Sequence, residues 1–70
     1  MKLIVHLSEI RKAKGLTQAD LAKLANVSRK TINTIENNVF VPSTILALTL
    51  AKILDVLVHD LFELPDSDRH

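Results

Sequence analysis

The chain has 70 residues, a single glycine, two phenylalanines and no cysteine, tryptophan or tyrosine, and its formal net charge is +1. This length allows one small domain whose core alone gives limited stability, so pairing with a second copy is expected. The lack of cysteine excludes disulfides and thiolate metal sites. No apolar run approaches the roughly 20 residues that span a bilayer, and the apolar start at residues 3–5 is too short for a signal peptide. We therefore expect a soluble, cytoplasmic protein.

Charge is divided unevenly along the chain. Residues 1–30 carry seven basic and two acidic side chains, whereas residues 31–70 carry two basic and six acidic ones. Such a division predicts a positive side that meets a polyanion and a negative side that faces away from it. The alternative is ordinary charge in contact with water.

The N-terminal segment Lys2 to His6 favours a short strand over a helix, because Ile4 and Val5 are β-branched. A lone strand leaves its backbone groups unpaired and needs a partner. The other candidate strand is Leu61 to Leu64, ahead of Pro65. We expect these two ends to form a small antiparallel ladder; the alternative is an extended, frayed N-terminus.

The first helix is predicted over Leu7 to Lys14, with Leu7 and Ile10 facing inward and Gly15 ending it in a left-handed cap. Arg11 lies on the same side as these apolar residues. A buried charge without a partner costs several kcal/mol, so Arg11 needs either an acidic partner or a route to water along its own apolar stem.

The stretch Thr17 to Asn37 predicts two short helices joined by a tight corner. Thr17 is a suitable N-cap for the first of them. Asn26 is suited to the corner, since asparagine enters the left-handed region at low cost. Ala22 is small enough to lie where two helices cross at a steep angle. The inward face of this helix is formed by Leu21, Ala22, Leu24 and Ala25.

The second helix of this pair is capped by Ser28 and has two unlike faces. Its inward face is Ile32 and Ile35, three residues apart. The opposite face carries long donors and amides with no acid among them: Arg29, Lys30, Asn33, Thr34 and Asn37. Two cations at a helix N-terminus oppose the helix dipole, which indicates an external anion. The alternative is a helix start that only contacts water.

A loop follows, in which Phe40 is expected to anchor the chain to the core, and Ser43 then caps a fourth helix over Thr44 to Leu54. This helix is apolar around most of its circumference, so we expect it to be covered on both sides. In a domain of this size the second cover is another chain.

The C-terminal part closes with Asp55 in a left-handed turn, a short helix over about Val58 to Phe62, and a polar tail at residues 65–70 that we expect to be disordered. Apolar residues on the last two helices are the predicted contact between two copies: Ile45, Leu48, Leu57, Val58 and Leu61. The alternative is that these residues are simply core.

The chain resembles the Cro/phage-repressor-type (XRE) family of helix-turn-helix regulators. The matching residues are Gln18, Leu21, Ala22, Val27, Ser28, Ile32, Ile35, Glu36 and Asn37, and the likeness continues through Pro42, Ser43, Leu46, Ala47, Asp60, Leu61 and Phe62. Its length and the run of residues 27–33 resemble the compact single-domain members of the family, such as the cytolysin-operon repressor. Ile45 and Thr49 depart from the pattern, because many relatives carry a charged and a basic residue there.

The resemblance implies a mainly α fold: a five-helix, lambda-repressor-like domain over residues 1–64, with a two-stranded antiparallel ladder between its ends. It also implies a partly buried ion pair between Arg11 and Glu36, which ties the first helix to the third. If Arg11 extends to water instead, that pair contributes little.

In a helix-turn-helix, the N-terminal part of the second helix enters the major groove of DNA. Arg29 and Lys30 then suit guanine, Asn33 suits adenine, and Thr34 suits a thymine methyl group. Shorter polar groups at helix starts and edges suit phosphate: Gln18, Ser28, Thr31 and Asn37. Lys12, Lys14 and Lys23 add non-specific attraction.

No catalytic arrangement or phosphate-binding glycine loop is present, and the three histidines are scattered, so we expect no enzyme, metal, cofactor or small-molecule ligand. The predicted function is a homodimeric transcriptional repressor that binds double-stranded DNA at an inverted repeat, with no membrane contact. One alternative is the antitoxin half of a toxin–antitoxin pair, with the apolar surface meeting a toxin. Another is a helix-turn-helix that binds no DNA.

Overall fold

Five helices lie between two short strands in the computed structural model, which describes residues 2–66. The elements in chain order are β1 (Ile4–Val5), α1 (Leu7–Ala13), α2 (Gln18–Ala25), α3 (Arg29–Glu36), α4 (Thr44–Leu54), α5 (Val58–Leu61) and β2 (Phe62–Glu63). The predicted mainly α fold with a terminal ladder is therefore confirmed. Within the described residues, no helix is long and apolar enough to cross a membrane.

The core lies where α1, α2, α3, α4 and α5 meet. Its fully buried members are aliphatic: Leu7, Leu21, Ile32, Ile35, Leu50, Leu54 and Leu61. Ala22 is buried among them. The prediction that Leu24 faces inward was wrong, because its side chain is 58% exposed. At about 100° per residue, Leu24 lies roughly 60° from Leu21 on the side away from Ala22, outside the buried stripe.

The terminal ladder is antiparallel, as predicted, but shorter. Ile4 is paired with Glu63 and Val5 with Phe62. The backbone N–H of His6 then donates to the carbonyl of Leu61 at 2.8 Å. The fifth helix ends at Leu61, one residue earlier than predicted, since Phe62 takes the extended backbone that the ladder requires.

His6 adds a polar contact to this ladder. Its Nε2 lies 2.6 Å from the Oε1 of Glu63, and its Nδ1 lies 3.7 Å from the Oε1 of Glu9. The hydrogen bond with Glu63 raises the pKa of His6, against an opposing effect of burial and with further help from Glu9. The protonated imidazole is therefore the form that holds the two ends together best.

Helix starts and corners follow the chemistry expected of them. Thr17, Ser28 and Ser43 each accept from the backbone N–H three residues on, at 3.0 to 3.1 Å. The predicted left-handed corners at Asn26 and Asp55 have φ of 58° and 56°, and Gly15 has a φ of 74°. Helix α5 lacks a capping hydroxyl at Leu57; instead, the carboxylate of Asp60 accepts from the Leu57 N–H at 2.9 Å.

The loop between α3 and α4 corrects one expectation. Phe40 does not anchor the loop in the core, since it is exposed together with Val39 and Val41. The reason is a further left-handed residue, Asn38, with a φ of 61°. This turn lets the N–H groups of Val39 and Phe40 donate to the carbonyl of Thr34 and directs their side chains outward.

The C-terminal tail is described only in part. Pro65 is half-buried and Asp66 is exposed, and the rest of the tail that we expected to be disordered, residues 67–70, lies outside the described residues.

Candidate nucleic-acid interface

The corner between α2 and α3 fixes the direction of α3. The Asn26 N–H donates to the carbonyl of Lys23 at 3.2 Å, and the Val27 N–H donates to that of Ala22 at 3.0 Å. These bonds satisfy carbonyls at the end of α2 while the left-handed residue turns the chain. Ser28 starts α3 two residues later. The backbone of this corner therefore helps to set the angle between the two helices.

A buried charge network then holds α3 against two other helices. The Nε of Arg11 on α1 donates to the Oε2 of Glu36 on α3 at 2.7 Å, and Nη2 donates to Oε1 at 3.2 Å. The two side chains are only 8% and 6% exposed. The remaining donor, Nη1, reaches the carbonyl of Leu16 at 2.9 Å. Gln18 at the start of α2 completes the network by donating from Nε2 to Glu36 Oε1 at 3.0 Å.

This network keeps Glu36 ionised. Burial raises the pKa of Glu36, but the hydrogen bonds from Arg11 and Gln18 and the nearby charges of Arg11 and Lys12 outweigh it, so the pKa lies below its usual range. The sole acid of α3 is thus neutralised inside the molecule. Its charge does not oppose an anion at the outer face of the helix.

The outer face of α3 is basic and exposed. Arg29, Lys30 and Asn33 are exposed, and with Gln18 they line an open groove of about 310 Å³. Among the residues that the structure describes, the side chains of Arg29 and Lys30 make no hydrogen bond or ion pair. Two long cationic side chains without a partner in the described part of the chain therefore lie in the first turn of α3.

A second groove extends this basic surface toward α1. It has a volume of about 490 Å³ and runs from Arg11 and Lys12 past the start of α2 to Arg29. Lys12 therefore lies beside the outer face of α3. The combined surface is concave and positive, which suits the phosphate groups that flank a groove of duplex nucleic acid.

The smaller polar residues of this surface are already bonded to one another. Ser28 Oγ and Thr31 Oγ1 are 2.9 Å apart, and Thr34 Oγ1 donates to the Thr31 carbonyl at 2.9 Å. Asn37 Nδ2 donates to Asn33 Oδ1 at 3.1 Å. These contacts orient the side chains on this surface. Some of the residues predicted to contact DNA therefore also hold their neighbours in place.

Comparison with known proteins decides the family. Residues 7–61 match the family described as Helix-turn-helix. The chain belongs to the helix-turn-helix family. Its members of this XRE type are DNA-binding transcriptional regulators and not enzymes.

Individual relatives agree with this membership. An uncharacterised HTH-type transcriptional regulator of Methanocaldococcus jannaschii is 42% identical over 62 residues, which cover 89% of this chain and 94% of the relative. A longer HTH-type regulatory protein of Methanothermobacter thermautotrophicus is also 42% identical, but this chain spans only 21% of it.

Solved structures show the same fold. The restriction-modification controller protein C.AhdI from Aeromonas hydrophila has a TM-score of 0.76 and 37% identity, over 81% of this chain and 86% of its own. The biofilm regulator SinR, solved in complex with DNA, has a TM-score of 0.72 and 33% identity, over 77% of this chain and 87% of its own.

The residues predicted to form the contact between two copies of the chain differ in their exposure. Ile45, Leu48 and Leu57 are exposed and Val58 is half-buried, so each has surface to offer a partner. Leu61 does not, and its assignment to that contact is corrected: it is 0% exposed in the core of its own chain. The backbone hydrogen bond from His6 to Leu61 and the packing of α5 on the core direct this side chain inward.

Sequence reasoning missed two features of the surface. The first is the bond from Gln18 to Glu36; a signal for it was the second carboxylate oxygen of Glu36, which Arg11 alone does not saturate. The second is the exposed apolar pair Val39 and Phe40 beside α3. Asn38 was a usable signal there, because asparagine is a common left-handed residue.

Proposed function

We propose that this regulator is a homodimeric repressor that binds an inverted-repeat operator in double-stranded DNA. The observation that carries the proposal is the exposed, basic outer face of α3. The one acidic residue of this helix, Glu36, lies away from that face and is buried in the network with Arg11 and Gln18. Such a face matches the major groove in shape and charge. SinR, of similar fold, was solved with DNA bound, which supports the same ligand here.

Each residue of the outer face has a proposed role. Arg29 and Lys30 bind guanine O6 and N7, and Asn33 binds adenine with its amide oriented by Asn37. The methyl group of Thr34 meets a thymine methyl.

The remaining polar groups of this surface are assigned to phosphates. Three of them stand in the first turns of α2 and α3, where free backbone N–H groups and side-chain donors favour an anion, and Asn37 stands at the C-terminal end of α3. These groups are Gln18, Ser28, Thr31 and Asn37.

The exposed apolar side of α4 and α5 supports the proposed dimer, with Ile45, Leu48, Leu57 and Val58 at the contact. Exposed apolar groups clustered on one side of a small domain mark an interaction surface. In a twofold dimer the two α3 helices lie about 34 Å apart and read successive major grooves. Bound to an operator in the cytoplasm, such a dimer blocks access by polymerase.

DNA binding is tested with duplexes selected from a randomised pool, alongside footprinting of the promoter of the chain's own gene. Arg29→Ala is expected to weaken the preferred duplex by about 5- to 150-fold, with a much smaller effect on random duplex. Lys12→Ala is the matched control and weakens both duplexes alike. Affinity should fall steeply with salt; a wild-type protein with no affinity for any duplex, or with affinity independent of salt, contradicts the proposal.

The dimer is tested by sedimentation at micromolar concentration. Ile45→Glu places a charge in the proposed contact and is expected to give a monomer. Leu24→Glu is the control, since Leu24 is an exposed leucine on α2. A wild-type monomer that co-purifies only with another protein contradicts the homodimer and favours the antitoxin alternative.

A further inference from the structure

The loop after α3 holds two apolar side chains in water at a fixed place. Val39 is 77% exposed and Phe40 is 46% exposed. Their backbone N–H groups both donate to the carbonyl of Thr34, at 2.8 and 3.2 Å. The side chain of Asn38 donates to the carbonyl of Leu3 at 2.7 Å, which fixes the loop to the N-terminal segment as well. The exposure of Val39 and Phe40 is therefore a consequence of a hydrogen-bonded turn.

Val39 and Phe40 lie next to the surface of α3 that is proposed to bind DNA. They form one wall of an open groove of about 340 Å³, and the other wall is the outer face of α3 at Ser28, Lys30, Thr31 and Thr34. This groove shares Lys30 with the groove that also contains Arg29 and Asn33. Val39 and Phe40 are thus continuous with the surface proposed to enter the major groove.

The next residue of the same loop faces elsewhere. Val41 lines a separate groove of about 250 Å³ together with Leu3, Leu48 and Phe62, on the side of the proposed dimer contact. The apolar residues of the loop therefore lie on two different surfaces. Val39 and Phe40 lie beside α3, and Val41 lies beside α4.

The duplex presents one apolar group in its major groove, the C5-methyl of thymine. We propose that Val39 and Phe40 bind a thymine methyl group next to the bases contacted by Lys30 and Thr34, and so select thymine at that position of each half-site. The inference rests on the DNA binding proposed above. It adds a specificity determinant that lies outside the recognition helix and carries no charge.

The test uses the duplex selected by the wild-type protein, with each thymine replaced in turn by deoxyuridine, which lacks only the methyl group. Apart from the thymine assigned to Thr34, whose replacement should weaken the wild type and the double variant alike, one replacement is expected to weaken wild-type binding by about fourfold, the factor for one buried methyl group. The same replacement should leave the affinity of the double variant Val39→Ala/Phe40→Ala unchanged. Because no phosphate contact is lost, the salt dependence of that variant should equal that of the wild type.

Val41→Ala is the control from the same loop and should keep the fourfold response to deoxyuridine. The inference is overturned if no single replacement distinguishes wild type from the double variant. It is also overturned if the double variant loses affinity equally for preferred and random duplex, which indicates contact with the sugar-phosphate backbone, or if sedimentation shows that it has become monomeric. A wild-type protein that binds no duplex refutes the proposed function itself, whereas these outcomes leave that function standing.

Discussion

Replacing Arg11 by methionine tests the charge network that holds α3. Arg11→Met keeps the apolar stem but removes the three hydrogen bonds that Arg11 donates to Glu36 and Leu16. The buried carboxylate of Glu36 then keeps one of its three hydrogen bonds, the one donated by Gln18. Breaking a buried ion pair from one side costs about 3–5 kcal/mol. We expect about 3 kcal/mol, since the bond from Gln18 remains and Glu36 can become protonated.

This loss is large for a domain of this length. At roughly 0.05–0.15 kcal/mol per residue, its total free energy of unfolding is about 4–10 kcal/mol. Arg11→Met should therefore remove a third or more of the stability. Urea unfolding followed by far-ultraviolet circular dichroism measures it, because the chain has no tryptophan or tyrosine for fluorescence. Protomer concentration is held constant, since dimerisation contributes to apparent stability.

The stability of the wild type and that of Arg11→Met should change with pH in opposite directions. In the wild type the pKa of Glu36 is lowered, so the stability from the network is present above the ordinary glutamate pKa and is lost as pH falls. In Arg11→Met, burial dominates and raises that pKa, so the variant should gain stability as pH falls through it. Lys14→Met is the matched exposed control, because Lys14 is a lysine near the end of α1 that takes no part in the network. The reasoning is refuted if Arg11→Met costs no more than Lys14→Met and keeps the wild-type pH dependence.

Three further predictions concern stability. Because the pKa of His6 is raised, its contact with Glu63 should stabilise the fold fully below the ordinary value of 6.5 and lose that effect as pH rises through the folded value; His6→Gln should flatten this part of the urea-midpoint profile, and an unchanged profile contradicts the assignment. Asn26→Ala should cost about 1–2 kcal/mol because alanine resists left-handed backbone, whereas Asn26→Gly should be nearly neutral; equal costs in urea unfolding refute the corner. Leu61→Ala should cost about 2–5 kcal/mol as a core truncation, whereas exposed Leu57→Ala should change monomer stability little; the reverse order in thermal unfolding counts against the corrected assignment.

The sequence predicted most of the fold because the signals at its helix ends are local. A capping hydroxyl bonds a backbone N–H three residues away, and a left-handed asparagine turns its own backbone. The roles of Ser28 and Asn26 could therefore be predicted without knowledge of the packing. The ladder was predictable for a related reason, since two strand-forming segments had to satisfy each other's backbone.

The errors have a different physical origin. Helix α5 has four residues, too few for a periodic pattern to separate Leu61 from Leu57, and the packing of the whole chain decides which of them is buried. Phe40 was misplaced because a single left-handed residue before it reverses the direction of the loop. The bond from Gln18 to Glu36 joins residues 18 positions apart and depends on the angle between two helices.

The antiparallel pairing of β1 with β2 has a mechanical consequence. Because the strands run in opposite directions, the chain enters and leaves the domain at the same end of the ladder. Leu3 and Leu64, which flank the ladder, therefore lie at the same end of it. Tension applied between these two residues acts on the hydrogen bond from Asn38 to Leu3 and on the pair Ile4–Glu63 before it acts on the pair Val5–Phe62.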